Sequence, residues 1–270
     1  MALDHKELSK MLETAIVAAR LAGQRAMEEL NYTKVSVKNG KELVTETDAR
    51  CQQIIIDRIK ETYPDHGFIA EEGKEYQIFK QSPRTAEKIW WVIDPIDGTN
   101  NFVRKILAFT ISIAVVHEGH PVVGVIFDPA TDSMFTAVKG QDAQLNARKI
   151  TTTDDKIEPF TSVGLDSHYD KVPSWALEFM QKTKVRILGS AALQFAYVAK
   201  GSLIASVFTD PKLWDMAAGA LICQCANALV TDYKGQNIFP LDLDAYDGQS
   251  FDMIAANKKV HADIINILNS

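Results

Sequence analysis

The sequence predicts a mixed α+β protein in which helices are sandwiched against more than one sheet. Three observations carry this. The chain opens on an amphipathic helical segment. Three strand-like segments follow one another closely between Phe109 and Val138. The second half then alternates strand-like and helix-like segments to the end. With 270 residues, 46% of them hydrophobic and 24% charged, the composition is that of an ordinary globular protein. A chain of this length needs no disulfide or metal to hold its core.

Residues 6–30 place Leu8, Leu12, Ala15, Ile16, Ala19 and Ala22 at helical spacing. A second helix is expected after Asp48, with Ile54, Ile55, Ile59 and Tyr63 on its apolar side and Thr-Glu-Thr-Asp as a source of caps; Pro64 ends it. Phe68–Ala70 and Ile89–Ile93 are short runs rich in β-branched and aromatic residues, and each stops at carboxylates. Segments 109–116, 122–129 and 134–138 have the punctuation of an antiparallel meander. Beyond them, strands are expected at 160–166, 185–188, 205–209, 229–233 and 253–256. Helices are expected at 173–183, after a Ser190 cap to Ala199, at 214–226, and at the end to about Leu268. No repeat or long linker interrupts this order. The chain is therefore read as one compact unit of two packed halves, 1–150 and 151–270.

The 29 basic residues against 35 acidic ones give a net charge of −6, with no basic stripe, which argues against nucleic acid or an anionic membrane as partner. No apolar run approaches the roughly 18 residues of a membrane helix, and the N-terminus lacks a signal-peptide core, so a cytoplasmic protein is expected. Cys51, Cys223 and Cys225 are read as reduced thiols. His117-Glu-Gly-His120 lacks metal-ligand spacing and is expected at a surface turn. The stretch 242–248 departs from a calcium loop and is read as hydrophilic. Absence of a Rossmann, Walker or nucleophile-elbow pattern removes those enzyme classes.

The strongest local signal is WVIDPIDGTNNF, residues 91–102. A buried strand ends in Asp94, Pro95 restricts the turn, Asp97 follows, and Gly98 lets the chain bend toward Thr99. Such a turn can offer oxygens to a hard divalent cation and N–H donors to a phosphate. Taken alone, it is better explained as a solvated turn in which Asp97 caps the next helix, because short Asp-x-x-Asp strings are common. Glu71-Glu72, Asp48 and Asp215 likewise have individual explanations as an exposed pair, an N-cap and a helix-initiating acid. Together they present carboxylates at four strand ends or helix starts, where mutual repulsion calls for cations.

Thr45–Asp48, Phe68–Glu72, Asp94–Phe102, Leu188–Ala192 and Trp214-Asp215, in this order, resemble the inositol monophosphatase family of magnesium-dependent, lithium-sensitive phosphomonoesterases. The resemblance spans essentially the whole chain. It implies alternating α-β-α-β-α layers of the inositol monophosphatase and sugar phosphatase type, and a homodimer. It implies two to three Mg2+ per site, with Mn2+ able to substitute and Ca2+ and Li+ inhibitory. Glu71, Asp94 and the Ile96 carbonyl would hold one ion, and Asp94, Asp97 and Asp215 a second. Glu71 would also serve a weaker third site, with Glu72 nearby. Asp48 would accept from Thr99, whose hydroxyl orients a metal-activated water for in-line attack on phosphorus. The Gly98 and Thr99 amides would hold the phosphate, and Gly189, Ser190 and Ala191 the alcohol side. Lys38 lies near a mobile lysine of the family, with Lys41 as competitor and a plain solvated loop as the other explanation.

Where inositol-specific members carry a glutamate before Trp-Asp, this chain has Phe208, with Asp210 displaced toward the helix as a substitute. Asn100-Asn101 resembles the inositol phosphatase side rather than the nucleotidase side. Inositol 1- (or 4-) phosphate therefore ranks first as substrate. The alternatives on the same site are an NADP(H) 2′-phosphatase or fructose-1,6-bisphosphatase activity, alone or as a dual activity. A catalytically silent scaffold is the reading from another class. Removing Asp48, Glu71, Asp94, Asp97 and Asp215 leaves 30 acids against 29 bases, so nearly all the acidic excess lies in one proposed site.

Overall fold

The computed structural model describes residues 3–38, 42–74 and 77–270, without the side chains of Lys38 and Glu42. Helix α1 (His5–Glu29) starts on an Asp4 cap. A hairpin of β1 (Val35–Lys38) and β2 (Glu42–Thr45) leads into α2 (Glu46–Lys60). Strands β3 (Gly67–Ala70), β4 (Phe79–Gln81) and β5 (Trp90–Asp97) precede the short α3 (Thr99–Arg104). The expected meander follows as β6 (Thr110–His117), β7 (His120–Asp128) and β8 (Ser133–Val138), extended by β9 (Gln144–Leu145) and β10 (Arg148–Lys149). The second half runs β11 (Ser162–Gly164), α4 (Ser174–Lys182), β12 (Lys184–Arg186), α5 (Ala191–Ala199), β13 (Ala205–Phe208) and α6 (Leu213–Cys225). It ends with β14 (Leu229–Asp232), β15 (Met253–Ala256) and α7 (His261–Leu268).

Two large sheets organise the layers. The first has eight strands in the order β10-β9-β8-β7-β6-β5-β3-β4, parallel only between β3 and β5; the second has five, β12-β11-β13-β15-β14. One face of the eight-stranded sheet packs Trp91, Ile93, Ile113 and Val115 under α1 and α2. Its other face packs Trp90, Val92, Ala114 and Val116 against α5 and α6, which also cover Phe208, Met253 and Ala255 of the second sheet. The far face of that sheet buries Val163, Val207 and Ile254 beneath Phe179 of α4 and Ile264 of α7. The result is the α-β-α-β-α sandwich. Burial on both faces explains why the strands read as continuous apolar runs rather than alternating ones.

The halves 1–150 and 151–270 share the central core, since α5 and α6 of the second half cover the sheet of the first. Several local expectations are corrected. The β1–β2 hairpin, β4 and the two-residue β9 and β10 carry too few apolar residues to signal themselves. The strand expected over 160–166 is only three residues long. His117 is no surface residue: it ends β6 and is buried. Cys51 and Cys223 are buried, Cys225 is half-buried, and all three are free. Among the described residues no helix is long and apolar enough to cross a membrane.

Candidate active site

The carboxylates meet at the ends of β3 and β5. Parallel register pairs Ala70 with Ile93, so the next residue on each strand, Glu71 and Asp94, falls at the same sheet edge; the Glu71 N–H donates to the Ile93 carbonyl at 3.3 Å. A bulge between Asp94 and Asp97 lets β5 present both acids there. Asp94 pairs across the sheet with Ser112, whose hydroxyl donates to the Trp214 carbonyl at 3.1 Å. That bond brings the first turn of α6, and with it Asp215, to Asp94. One oxygen from each of Asp94, Asp97 and Asp215 lies within 4.8 Å of the others.

Each acid is held by the backbone around it. Asp94 accepts from the Ile96 N–H at 3.0 Å, and Asp215 from the Lys212 N–H at 2.6 Å in a capping arrangement. Asp97 does not cap α3, whose N-cap is Gly98 with no side-chain hydrogen bond. It reaches instead to the start of α5, accepting from Ala191 N–H (3.2 Å), Ala192 N–H (2.7 Å) and the Ser190 hydroxyl (2.5 Å). A helix N-terminus stabilises such a charge. Ser190 and Ala191, expected on the alcohol side, thus direct these donors at Asp97, and Ser190 also caps α5 through Leu193 N–H at 3.1 Å.

Asp48 is fully buried at the third position of α2. Its Oδ2 accepts from the Thr45 N–H (2.8 Å) and hydroxyl (2.5 Å), and the Thr45 oxygen caps the helix in return. Its Oδ1 lies 3.2 Å from the Thr99 hydroxyl, which is also 3.1 Å from the Ile96 carbonyl. Gly98 bends the chain at φ +96°, where an added Cβ would meet the Ala108 and Gly189 carbonyls at 3.1 Å. At the start of α3, the Thr99 N–H has no intrahelical acceptor. Asn101 fastens this region, its amide donating to the Ala108 and Leu188 carbonyls at 2.7 Å each.

Burial pushes the Asp48 carboxyl up to about 6, against the pull of Thr45 and Thr99. Asp94 is raised well above the usual range, by burial first and then by the charges of Glu71, Asp97 and Asp215. Burial also raises Asp97, opposed by the α5 donors. Asp215 rises to about 7 through burial and the Asp97 charge. Buried oxygen donors that repel one another fit a hard divalent cation, which removes the repulsion and needs no softer ligand.

A cleft of about 740 Å³ opens beside these acids, lined by Glu71, Asp215, Asp210 and Lys212 on one side and by the loop containing Tyr246 and Gly248 on another. Phe208 does not line it. Fully buried, Phe208 stacks on Phe195 with ring centroids 3.9 Å apart, whereas Asp210, left-handed at φ +59°, reaches the cleft. The Asp210 N–H donates to Asp252, the Thr209 N–H to Asp166, and Ser250 to the Asp210 carboxylate. Glu72 is fixed through its backbone, which exchanges two hydrogen bonds with Gln52. Lys41 and the Lys38 side chain lie outside the described residues. Sequence reasoning missed Lys80, Lys212 and the 244–248 loop. Lysine was the available signal in the first two, but nothing local says that these distant segments share a cleft.

The fold and site define a layered α/β protein whose sheet edge gathers an acidic cluster able to hold a metal ion. The chain belongs to the inositol monophosphatase family, whose model matches residues 7–270. Over 244 residues it is 34% identical to the Nus factor SuhB of Pseudomonas aeruginosa, a match covering 86% of this chain and 89% of that protein. It superposes on the Thermotoga maritima IMPase with a TM-score of 0.85 at 32% identity, over 96% of this chain and 97% of the other. It also resembles an IMPase/NADP phosphatase solved with NADP and Ca2+, with a TM-score of 0.84 at 25% identity, over 97% and 96% of the two chains.

Proposed function

We propose that this protein is a magnesium-dependent phosphate monoester hydrolase acting on inositol 1- (or 4-) phosphate. The observation that carries this reading is the convergence of Asp94, Asp97 and Asp215 beside a pair formed by buried Asp48 and half-buried Thr99. Asp94, Asp97 and Asp215, joined by Glu71 and the Ile96 carbonyl, would hold two to three Mg2+. Bound there, the ions supply charge neutralisation at phosphorus and activate water for in-line attack.

The chain's own part is orientation and proton management. With its hydroxyl hydrogen directed at Asp48, Thr99 presents a lone pair to the attacking water, so Asp48 is the final acceptor of a proton relayed through Thr99. The Gly98 and Thr99 amides hold the phosphate, and no covalent enzyme intermediate is needed. Gly189 and Ala191 border the alcohol side, and Asp210 takes the hydroxyl-accepting role that buried Phe208 cannot.

An NADP(H) 2′-phosphatase is the second reading, favoured by the size of the cleft and by the similar IMPase/NADP phosphatase. A homodimer in the cytoplasm completes the proposal. Exposed Ile106 and Leu107 precede Ala108, and exposed Ile187 precedes Leu188; Asn101 ties the Ala108 and Leu188 carbonyls, which brings these apolar side chains to one region as a surface for a second copy.

The test is phosphate release from inositol 1-phosphate, fructose 1,6-bisphosphate, NADP and 3′-phosphoadenosine 5′-phosphate with magnesium, with EDTA and with added lithium. Release that is abolished by EDTA, inhibited by lithium and fastest on inositol phosphate supports the reading. Activity indifferent to EDTA and lithium overturns the mechanism, and no activity on any substrate favours a scaffold.

A further inference from the structure

A second cavity, of about 510 Å³, lies next to the cleft and shares no lining residue with it. Its size suits a small molecule. The segment 250–252 joins the two. On the cleft side the Ser250 hydroxyl donates to the Asp210 carboxylate, Asp252 accepts from the Asp210 N–H, and the Phe251 ring stacks on Tyr246 with centroids 6.4 Å apart. Phe251 and Asp252 also line the second cavity.

The back of this cavity is apolar. Ile238 and Phe251 are half-buried and pack against the central core, and Tyr233 packs against the core under α4 and α7. The Tyr233 hydroxyl is already committed, donating to the Phe208 carbonyl at 3.0 Å, so its ring is what the cavity meets. The rim, by contrast, is rich in acceptors. Asp232 Oδ1 takes the Lys234 and Gln236 N–H groups at 2.8 and 2.7 Å, and Asp252 Oδ1 takes the Asp210 N–H at 3.2 Å. Each carboxylate keeps its Oδ2 without a hydrogen bond among the described residues. Asn269 Nδ2 donates to the Tyr233 and Ile265 carbonyls at 3.0 and 2.8 Å, which fixes the amide and leaves its Oδ1 as a third acceptor.

The charge of this rim is not cancelled. Neither Asp232 nor Asp252 is ion-paired among the described residues, and Lys234 is the one cation among the lining residues. The excess is felt nearby: burial pushes the Asp166 carboxyl up to about 6, and the charges of Asp210 and Asp252 push it the same way. Acceptors with an uncancelled negative charge, set before an apolar wall, match a group of clustered cationic donors on a hydrocarbon body. An anion would be repelled, and a polyol would leave the apolar wall unused. A bare divalent ion needs converging carboxylates, which among the described residues gather at Asp94, Asp97 and Asp215 instead.

We infer that the cavity lined by Asp232, Ile238, Phe251 and Asp252 is a binding site for a small organic cation, a protonated amine carried on an apolar body. Neither metal nor phosphate ester takes part, so the site stands whether or not the protein is a phosphatase.

Three probes test it in NMR titrations with EDTA at about pH 7.5, where an alkylamine is protonated. They are 2-phenylethylamine, 2-phenylethanol with the same body and no charge, and methylamine with the charge and no body. The first is expected to bind saturably with a Kd of about 1 mM or below, and about tenfold more tightly than either of the others. Asp252→Asn and Asp232→Asn keep the Oδ1 that holds the backbone, so their melting curves should match wild type while at least one of them loses most of the preference for the amine. Asp94→Asn, in the acidic cluster, should leave the affinity unchanged. No saturation by about 10 mM, or equal affinity for 2-phenylethanol, overturns the site. So does binding that is lost in Asp94→Asn but kept in both cavity variants, because the amine would then lie in the cleft.

Discussion

Replacing Asp48 with asparagine is expected to stabilise the metal-free protein while removing its activity. The side chain is fully buried, and burial raises its carboxyl from 3.8 to about 6. Because the folded state binds this proton more tightly than the unfolded chain does, the group's contribution to stability is present below the unfolded value and is lost as pH rises through about 6. At pH 8 the difference corresponds to a cost of about 3 kcal/mol, and at pH 4.5 to only about 1 kcal/mol. Asparagine keeps the shape. Its carbonyl can accept from the Thr45 N–H and hydroxyl, and its amide can donate to Thr99 while Thr99 donates to the Ile96 carbonyl. At pH 8 in EDTA the variant should therefore gain up to about 3 kcal/mol in urea unfolding and melt about 6 °C higher. The gain should shrink to about 1 kcal/mol at pH 4.5. Phosphate release should fall by about 10²–10⁴, because Thr99 loses its proton acceptor. A variant less stable than wild type at pH 8, or a difference independent of pH, would refute the reasoning.

Asp94→Asn should abolish magnesium-dependent phosphate release while leaving the circular dichroism unchanged; retained turnover would remove Asp94 from the metal set. In EDTA, the wild-type urea midpoint should fall from pH 5 to pH 8, since Asp48, Asp94, Asp97 and Asp215 are all raised and lose their contribution as they ionise. Saturating magnesium should flatten that slope by stabilising the ionised cluster, which the same titrations would show. Phe208→Glu, designed to supply the missing glutamate, should cost several kcal/mol and fail to improve inositol phosphate turnover, because it buries an unpaired charge against Phe195. Gly98→Ala should cost about 1–2 kcal/mol in thermal unfolding and lower kcat, since φ +96° strains an L side chain and the two carbonyls at 3.1 Å must shift to admit a Cβ.

The sequence by itself determined the apolar runs, the helix starts and the residue types of the acidic site. These signals are local: periodicity over a few turns, a proline-restricted turn between Asp94 and Asp97, a cap before α2. It also held the family resemblance, because five separated segments carry it. Only the tertiary structure decided what each acid faces. Asp97, which could have capped α3, is claimed by the N-terminus of α5, 94 residues further on in the chain at Ala191. Phe208 occupies the position expected for a substrate contact, yet the packing of α5 against β13 turns its ring into the core and leaves Asp210 at the cleft. Lys80 and Lys212 read as ordinary charged residues until the 244–248 loop is seen to lie against both. The physical reason is common to all three. Local pattern fixes which face of an element is apolar, but which donor meets which acceptor across the molecule depends on how whole layers pack.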